Sequence, residues 1–332
     1  MAFTLAEMKV GMTDKVAAKV VDVFLRESEI LQLLPFDDTV SPQGGSTLTY
    51  SYMQKVLPST ASFRKLNEEY SHSAATMVKK SADLKIFGGE FDIDRVLKQA
   101  EGMFNNMAWQ MEEKIRAAVS LFHYTLINGN STSNDKEFDG LDKMLAGTAS
   151  EFGAGSSIDL SNITKLKANA DEFYEALTKL IRDTEADALL MNRDTITKVQ
   201  TVARILGYKT ESEDAFGKKV TSMDGVRLMD LKNHYTVSGS AAVANAVVKK
   251  GLSRTIGSDS AATSGLTDIY AVKFDINDGF HAATLSGGKA ITQYLPDFSQ
   301  PGVVKKGEVE MGAATGLKNT DHAGVLRNIK IA

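Results

Sequence analysis

The sequence predicts an α+β chain, and three observations predict it. A helical periodicity runs from Ile93 to Leu126, a strand followed at once by a helix occupies residues 187–207, and the C-terminal third is mostly strand-like. Strands and helices in separate runs, with one strand–helix unit between them, fit an α+β layer arrangement better than a bundle or a sandwich.

The first segment reads as an arm. Thr13 or Asp14 caps a short helix through Leu25, with Val16, Val20, Val23 and Phe24 on one face. "ESEILQLLPF" (27–36) then carries Ile30, Leu31, Leu33 and Leu34 up to Pro35, which ends any helix before it. Periodicity alone fits an arm or the first core helix of an ordinary domain equally well. In "GGSTLTYSYMQKV" (44–56), Leu48, Tyr50 and Tyr52 share one face of a strand and Thr47, Thr49 and Ser51 the other. A polar stretch with Arg64, Lys65, Glu68 and Glu69 follows, and "ATMVKKSADLKIFGGEFDI" returns as extended structure, with Gly88-Gly89 as a bulge or turn. These two strands form a long hairpin with little core of its own, which is marginal in water unless it lies on something else.

The longest helix begins at a cap on Asp92 or Asp94. It places Ile93, Val96, Leu97, Ala100, Phe104, Met107, Met111, Ile115, Ala118, Phe122 and Leu126 at helical spacing and closes at Asn128-Gly129, with Gly102 as its weak point. Such a helix spans about 50 Å, a spine rather than a component of a small domain. "NSTSNDKEFDG" is a surface loop, and a helix over 162–184 carries Leu166, Ala170, Phe173, Leu177 and Ile181. "DALLMN" is a short buried strand, "RDTITKVQTVARILG" a helix stopped by Gly207, and Asp224-Gly225 a hairpin turn. "GLSRTIGSDSAATSG" reads as a mobile loop; the remainder is strands, and no internal repeat is present.

Composition narrows the function. The 332 residues are 43% hydrophobic and 24% charged, enough for a packed core, and Lys plus Arg (38) against Asp plus Glu (42) gives a net charge of -4. A protein whose main task is wrapping nucleic acid shows a basic excess instead; near-balance suits close packing against identical copies. Cysteine is absent, so disulfide, thiolate-metal and cysteine-nucleophile chemistry are excluded. No secretion signal and no apolar run of membrane-spanning length occurs, so the chain reads as soluble and made in a cytoplasm, and its two glycosylation sequons, at Asn130 and Asn162, as chance.

Chemistry is harder to find. His72, His123, His234, His281 and His322 lack a second histidine at helical metal spacing, and each reads as a surface or loop residue. "GLSRT" around Ser253 lacks the last glycine of a nucleophile elbow. "GAGSSI" has two of three dinucleotide-fingerprint glycines but no strand before it, and "FGKKV" lacks the upstream glycine of a P-loop. Glu68–Glu69 and Glu308–Glu310 form carboxylate pairs, the second alternating with Val309 and Met311 as a solvated strand face does. The residues ask for no enzyme, cofactor or metal.

Taken together, "FLRESEILQLLPF", "GGSTLTYSYMQKVLPSTASFRKLNEEYSHS", "KIFGGEFDIDRVLKQ", "EFDGLDKML", "ALLMNRDTITKV" and "YLPDFSQPGVVKKGEVEMGAATGLKNTDHAGVLRNIKI" resemble the major capsid proteins of tailed bacteriophages, whose fold is named after phage Hong Kong 97. The resemblance implies an N-terminal arm (1–40), an extended hairpin loop (41–90), a peripheral domain with the spine helix (91–185 and 291–332) and an axial domain (186–290). It implies a non-enzymatic subunit that closes as hexamers and pentamers into an icosahedral shell for double-stranded DNA, without sequence-specific contacts to it or any membrane role. It places the chain in a virion assembled in a bacterial cytoplasm. Ile30, Leu31, Leu33, Leu34, Arg64, Lys65, Glu68 and Glu69 are then the expected subunit-interface residues, the apolar four buried on a neighbour or under the chain's own spine helix. Some relatives cross-link subunits by a Lys–Asn isopeptide bond. Lys55 and Lys65 stand in the right region, but no asparagine or glutamate matches, so that chemistry is not carried over. The arm begins close to Met1, which implies a separate scaffolding protein beside a portal and decoration proteins. Encapsulins, shells that enclose cargo enzymes, share the fold and are the alternative; a hydrolase is the alternative from another class.

Overall fold

Two sheets organise the chain, and the side-chain alternation of their strands decides which faces are dry. The computed structural model describes residues 2–3, 28–40, 47–57, 59–96, 106–208, 211–213, 219–238, 241–285 and 291–332. The expected arm helix through Leu25, and Leu97 to Phe104 of the expected spine, lie outside the described residues.

In chain order the elements begin with β1 (Ala2–Phe3), α1 (Ile30–Leu33), β2 (Phe36–Val40), β3 (Thr49–Leu57), β4 (Thr76–Asp83) and β5 (Lys85–Asp94). The long helix α2 (Asn106–Asn128), α3 (Leu141–Leu145), β6 (Glu151–Phe152), β7 (Ile158–Asp159), α4 (Ile163–Ala168) and α5 (Ala170–Thr184) follow. Then come β8 (Ala188–Met191), α6 (Arg193–Leu206), β9 (Glu211–Glu213), β10 (Lys219–Met223), β11 (Val226–Asp230), β12 (Asn233–Ser238) and β13 (Ala241–Ala246). The chain ends with β14 (Leu252–Arg254), β15 (Thr263–Val272), β16 (Phe280–Leu285), β17 (Ile291–Tyr294), β18 (Val304–Leu317) and β19 (Ala323–Lys330).

The first sheet runs β1-β2-β16-β18-β17, with β5 also on the long strand β18. β5 pairs with β18 without a register shift from Lys85↔Ala313 to Asp94↔Val304, so Gly88-Gly89 is neither bulge nor turn. Its glycine is there for close approach, because a Cβ on Gly88 would lie 1.9 Å from the Val309 carbonyl oxygen. β5 also carries Ile93 and Asp94, which sequence periodicity put in the helix; the Asp94 carboxylate accepts the Val96 amide at 2.7 Å, as a cap does. The described spine α2 is 23 residues, about 35 Å. Its buried face of Met111, Ile115, Ala118, Val119, Phe122 and Leu126 packs on this sheet.

The second sheet runs β6-β19-β15-β8-β11-β10-β9, with β14 on β15 and β7 on β19. All four β8 side chains are buried, as "DALLMN" predicts. Ala188 and Leu190 enter the core shared with α2, while Leu189 and Met191 enter the core under α5 and α6, the period-two division of a strand dry on both faces. β8 and β11 are parallel, and α6 lies between them in sequence. Asn192 accepts the Thr195 amide at 3.0 Å to start α6, and Gly207 ends it at φ 81°. Asp224 and Gly225, at φ 50° and 84°, form the two-residue turn between β10 and β11.

Some expectations change here. The helix over 162–184 is two helices, broken at Asn169, whose side chain instead donates to the Asp159 carbonyl at 2.9 Å. The stretch 251–265 is not simply a loop, because Leu252–Arg254 is a strand paired with β15. α5 and β19 belong with the second sheet and β16 with the first, because partners distant in sequence claim them.

Candidate assembly surface

The arm segment is anchored from within. Ile30, Leu31 and Leu34 are at most 1% exposed, in one core with Ile115, Phe122 and Leu126 of α2, and half-buried Leu33 packs at its edge. Of the two expected locations, these side chains therefore take the one under their own spine helix. Ile30, Leu31 and Leu34 thus lie in the core of their own chain, with at most 1% of their surface exposed. Ser28 bonds the other side of the segment, its hydroxyl 2.6 Å from His123 Nε2 on α2 and accepting the Leu31 amide at 3.2 Å.

The hairpin β3–β4 is rooted through a buried polar joint. Tyr50 of β3 donates its hydroxyl to Asp37 of β2 at 2.9 Å, and His281 Nε2 of β16 lies 2.8 Å from the same oxygen. The Tyr50 hydroxyl is thus shared between Asp37 and His281, whose Nδ1 faces the Gly279 carbonyl oxygen at 3.3 Å. Tyr52 stacks on Tyr50 with centroids 5.6 Å apart, and both meet His281 edge-on. Gln54 donates to the Leu317 carbonyl and the Lys55 amide to the Lys318 carbonyl, both at 3.0 Å, which stitches β3 to the end of β18. Burial, helped by the adjacent Asp37, pushes the Tyr50 phenol far up, and burial holds His281 down to about 4. His123 is also held down to about 4 by burial, so both imidazoles are neutral at pH 7. The surface-or-loop reading of His123 and His281 is thus overturned: each is buried, on a helix and a strand, joining two segments of the chain.

Beyond this root the hairpin leaves the body. Seven of the eight residues of β4 are exposed, as are Arg64, Lys65, Glu68 and Glu69 at the tip. The tip charges organise one another: the Lys65 amide donates to Glu68 Oε2 at 3.3 Å, Arg64 donates to the Glu68 carbonyl at 3.3 Å, and its guanidinium sits 5.3 Å from the Tyr70 ring centroid. Phe63 and Leu66 beside them are almost wholly in solvent.

A third joint ties helix α3 to the second sheet. Arg327 of β19, 8% exposed at its side chain, contacts Asp142 of α3, Glu151 of β6 at 2.8 Å and Asp268 of β15 at 3.1 Å. Asp268 also takes a bidentate pair from Arg254, both bonds at 2.6 Å, and Tyr270 donates to Asp142 at 2.9 Å. A register shift opposite Asp268 admits the extra residue that turns Arg327 inward and leaves Asn328 at φ 60°. The neighbouring acids raise Arg327 against the opposing effect of its burial and keep it charged.

Among the described residues, no group of three or more His, Asp or Glu side chains is arranged to hold a metal, and no helix is long and apolar enough to cross a membrane.

No protein-family model and no curated protein sequence matches the chain. Solved structures do. The holo-SrpI encapsulin complex from Synechococcus elongatus PCC 7942 matches at TM-score 0.56 and 12% identity, over 91% of this chain and 87% of that one. Mycobacterium phage Bobi matches at 0.53 and 12%, over 92% and 90%, and the capsid of the native GTA particle at 0.50 and 12%, over 86% and 86%. The chain has the phage major-capsid fold. At these identities the likeness extends to the path of the backbone and not to individual side chains. The capsid fold here is an α+β arrangement, as the sequence predicts.

Proposed function

We propose that this chain is the repeating subunit of a closed protein shell: the major capsid subunit of a tailed bacteriophage, assembling as hexamers and pentamers around double-stranded DNA. One observation carries the reading. The hairpin is fixed to the body by a buried polar joint, yet it holds Phe63, Leu66 and Tyr70 out in solvent. Burying one such side chain is worth about 1.5–3 kcal/mol, and the described residues leave Phe63 and Leu66 almost wholly uncovered. Copies of the same chain cover them, and the capsid fold supports that reading. Arg64, Lys65, Glu68 and Glu69 are then contacts to a neighbour, with Leu33 the arm residue that still has surface to give. Residues 91–185 and 291–332 form the peripheral domain and residues 186–290 the axial one. The subunit acts without cofactor or catalysis, beside a scaffolding protein, a portal and decoration proteins, and its near-neutral charge suits DNA held without sequence-specific contact. The match to an encapsulin favours a second reading, a shell around cargo enzymes. Electron microscopy of the purified protein tests both: large shells that take up DNA are expected, small shells without it move the assignment to the second reading, and a monomer at every concentration and salt overturns both.

A further inference from the structure

The ribbon β12–β13 departs from the usual arrangement of an antiparallel pair, which turns apolar side chains to the core and polar ones to water: ten of its twelve side chains are exposed, the apolar ones included. Its register places Tyr235 and Val237 on one face with Ala242 and Ala244, and His234 and Thr236 on the other with Val243 and Asn245. The ribbon meets the body through the polar face, where His234 packs on Tyr124 of α2 with ring centroids 5.1 Å apart. The apolar face stays in solvent, Val237 81% exposed and Tyr235 60%. Tyr235 also borders a cleft of about 820 Å³ shared with Arg116 and Arg193, a recess beside the apolar strip.

Two properties identify the occupant. Among the described residues β13 pairs with β12 alone, so its outer edge presents backbone donors and acceptors that another polypeptide strand completes. In addition, residues 233–246 contain no Asp, Glu, Lys or Arg. Exposed edges are ordinarily guarded by such charges, and the other free-standing hairpin does carry them, at Lys55, Lys79, Lys80 and Asp83. An uncharged strip has no complementarity to nucleic acid or to lipid headgroups, and two identical copies approach it without facing like charges.

We propose that the apolar face of β12–β13 is an interface between copies of this chain, a second contact besides the β3–β4 tip; the proposal rests on the shell reading above. The experiment compares wild type with Val237→Lys and Tyr235→Ser, both at exposed positions, by sedimentation velocity and by circular dichroism melts. Wild type is expected to assemble, and each variant to lose at least tenfold in assembled fraction with an unchanged melt. A photo-crosslinking residue at position 237 of the otherwise wild-type chain is expected to give chain-to-chain dimers. Variants that assemble like an assembling wild type, or crosslinks to nucleic acid or lipid in place of a second chain, overturn this interface alone. A wild type that never assembles overturns the shell reading with it.

Discussion

Strands β8 and β4 have the same secondary structure and opposite surroundings. Every side chain of β8 is buried between two cores, whereas β4 is exposed at seven of its eight positions. The first is stabilised by its own chain on both faces. The second depends on a neighbouring strand and on a root, Tyr50 with Asp37 and His281, that lies outside it. The contrast separates residues that make a folded subunit from residues available to join subunits.

The largest expected effect tests which side of that divide the arm occupies. Replacing Leu31 and Leu34 together with Ser removes two fully buried side chains, and each such loss costs about 2–5 kcal/mol. Global unfolding by circular dichroism is expected, since the pair consumes much of a typical stability of about 5–15 kcal/mol. A folded variant that merely fails to assemble would return the segment to the interface.

Acid should weaken both histidine joints. His123 and His281 are held down to about 4 in the folded chain against 6.5 unfolded, so the unfolded state binds more protons below pH 6.5. Stability is complete above that value and falls with pH down to about 4, by up to about 1.4 kcal/mol per unit for each histidine. Urea midpoints measured across this window should decline, and the decline should shrink in His123→Asn and His281→Gln.

A smaller effect is expected at the hairpin root. Tyr50→Phe leaves Asp37 and His281 buried without their shared hydroxyl, at about 1–3 kcal/mol. Hydrogen exchange should accelerate along β3 and β4 while β8 stays protected; equal acceleration in both would erase the distinction drawn above. The smallest effect on the subunit is at the tip. Arg64→Glu or Glu68→Lys should shift monomer stability by no more than about 0.5 kcal/mol, yet reduce particle yield, because a shell repeats each contact many times. Unchanged yield would make the tip an ordinary solvated loop.

Elements with a local physical signature were legible in the sequence. β8 announced itself by "ALLM", α6 by Asn192 and Gly207, and the β10–β11 turn by Asp224-Gly225, because cap, turn and alternation are set by nearest neighbours in the chain. Features made by distant partners were not. Gly88-Gly89 resembles a turn until β18 is laid beside it, and Asn169 breaks a helix for the sake of Asp159. For His123 the signal of burial is its helical phase and not its spacing to other histidines. His123 lies four residues from Val119 and four from Ile127, both buried. His281 carried a comparable signal, between apolar neighbours in "GFHAATL".

The joint around Arg327 has an evolutionary consequence. Arg327 and Asp268 meet there out of water, with Glu151, Arg254 and Asp142 progressively more exposed around them. Removing one partner of a buried pair costs about 3–5 kcal/mol because the other charge stays behind. Replacing the whole set with well-packed apolar residues carries no such penalty. Drift through single substitutions is therefore blocked at Asp268 and Arg327 while concerted replacement remains open. Across divergent relatives these two positions should covary, keeping both charges or neither.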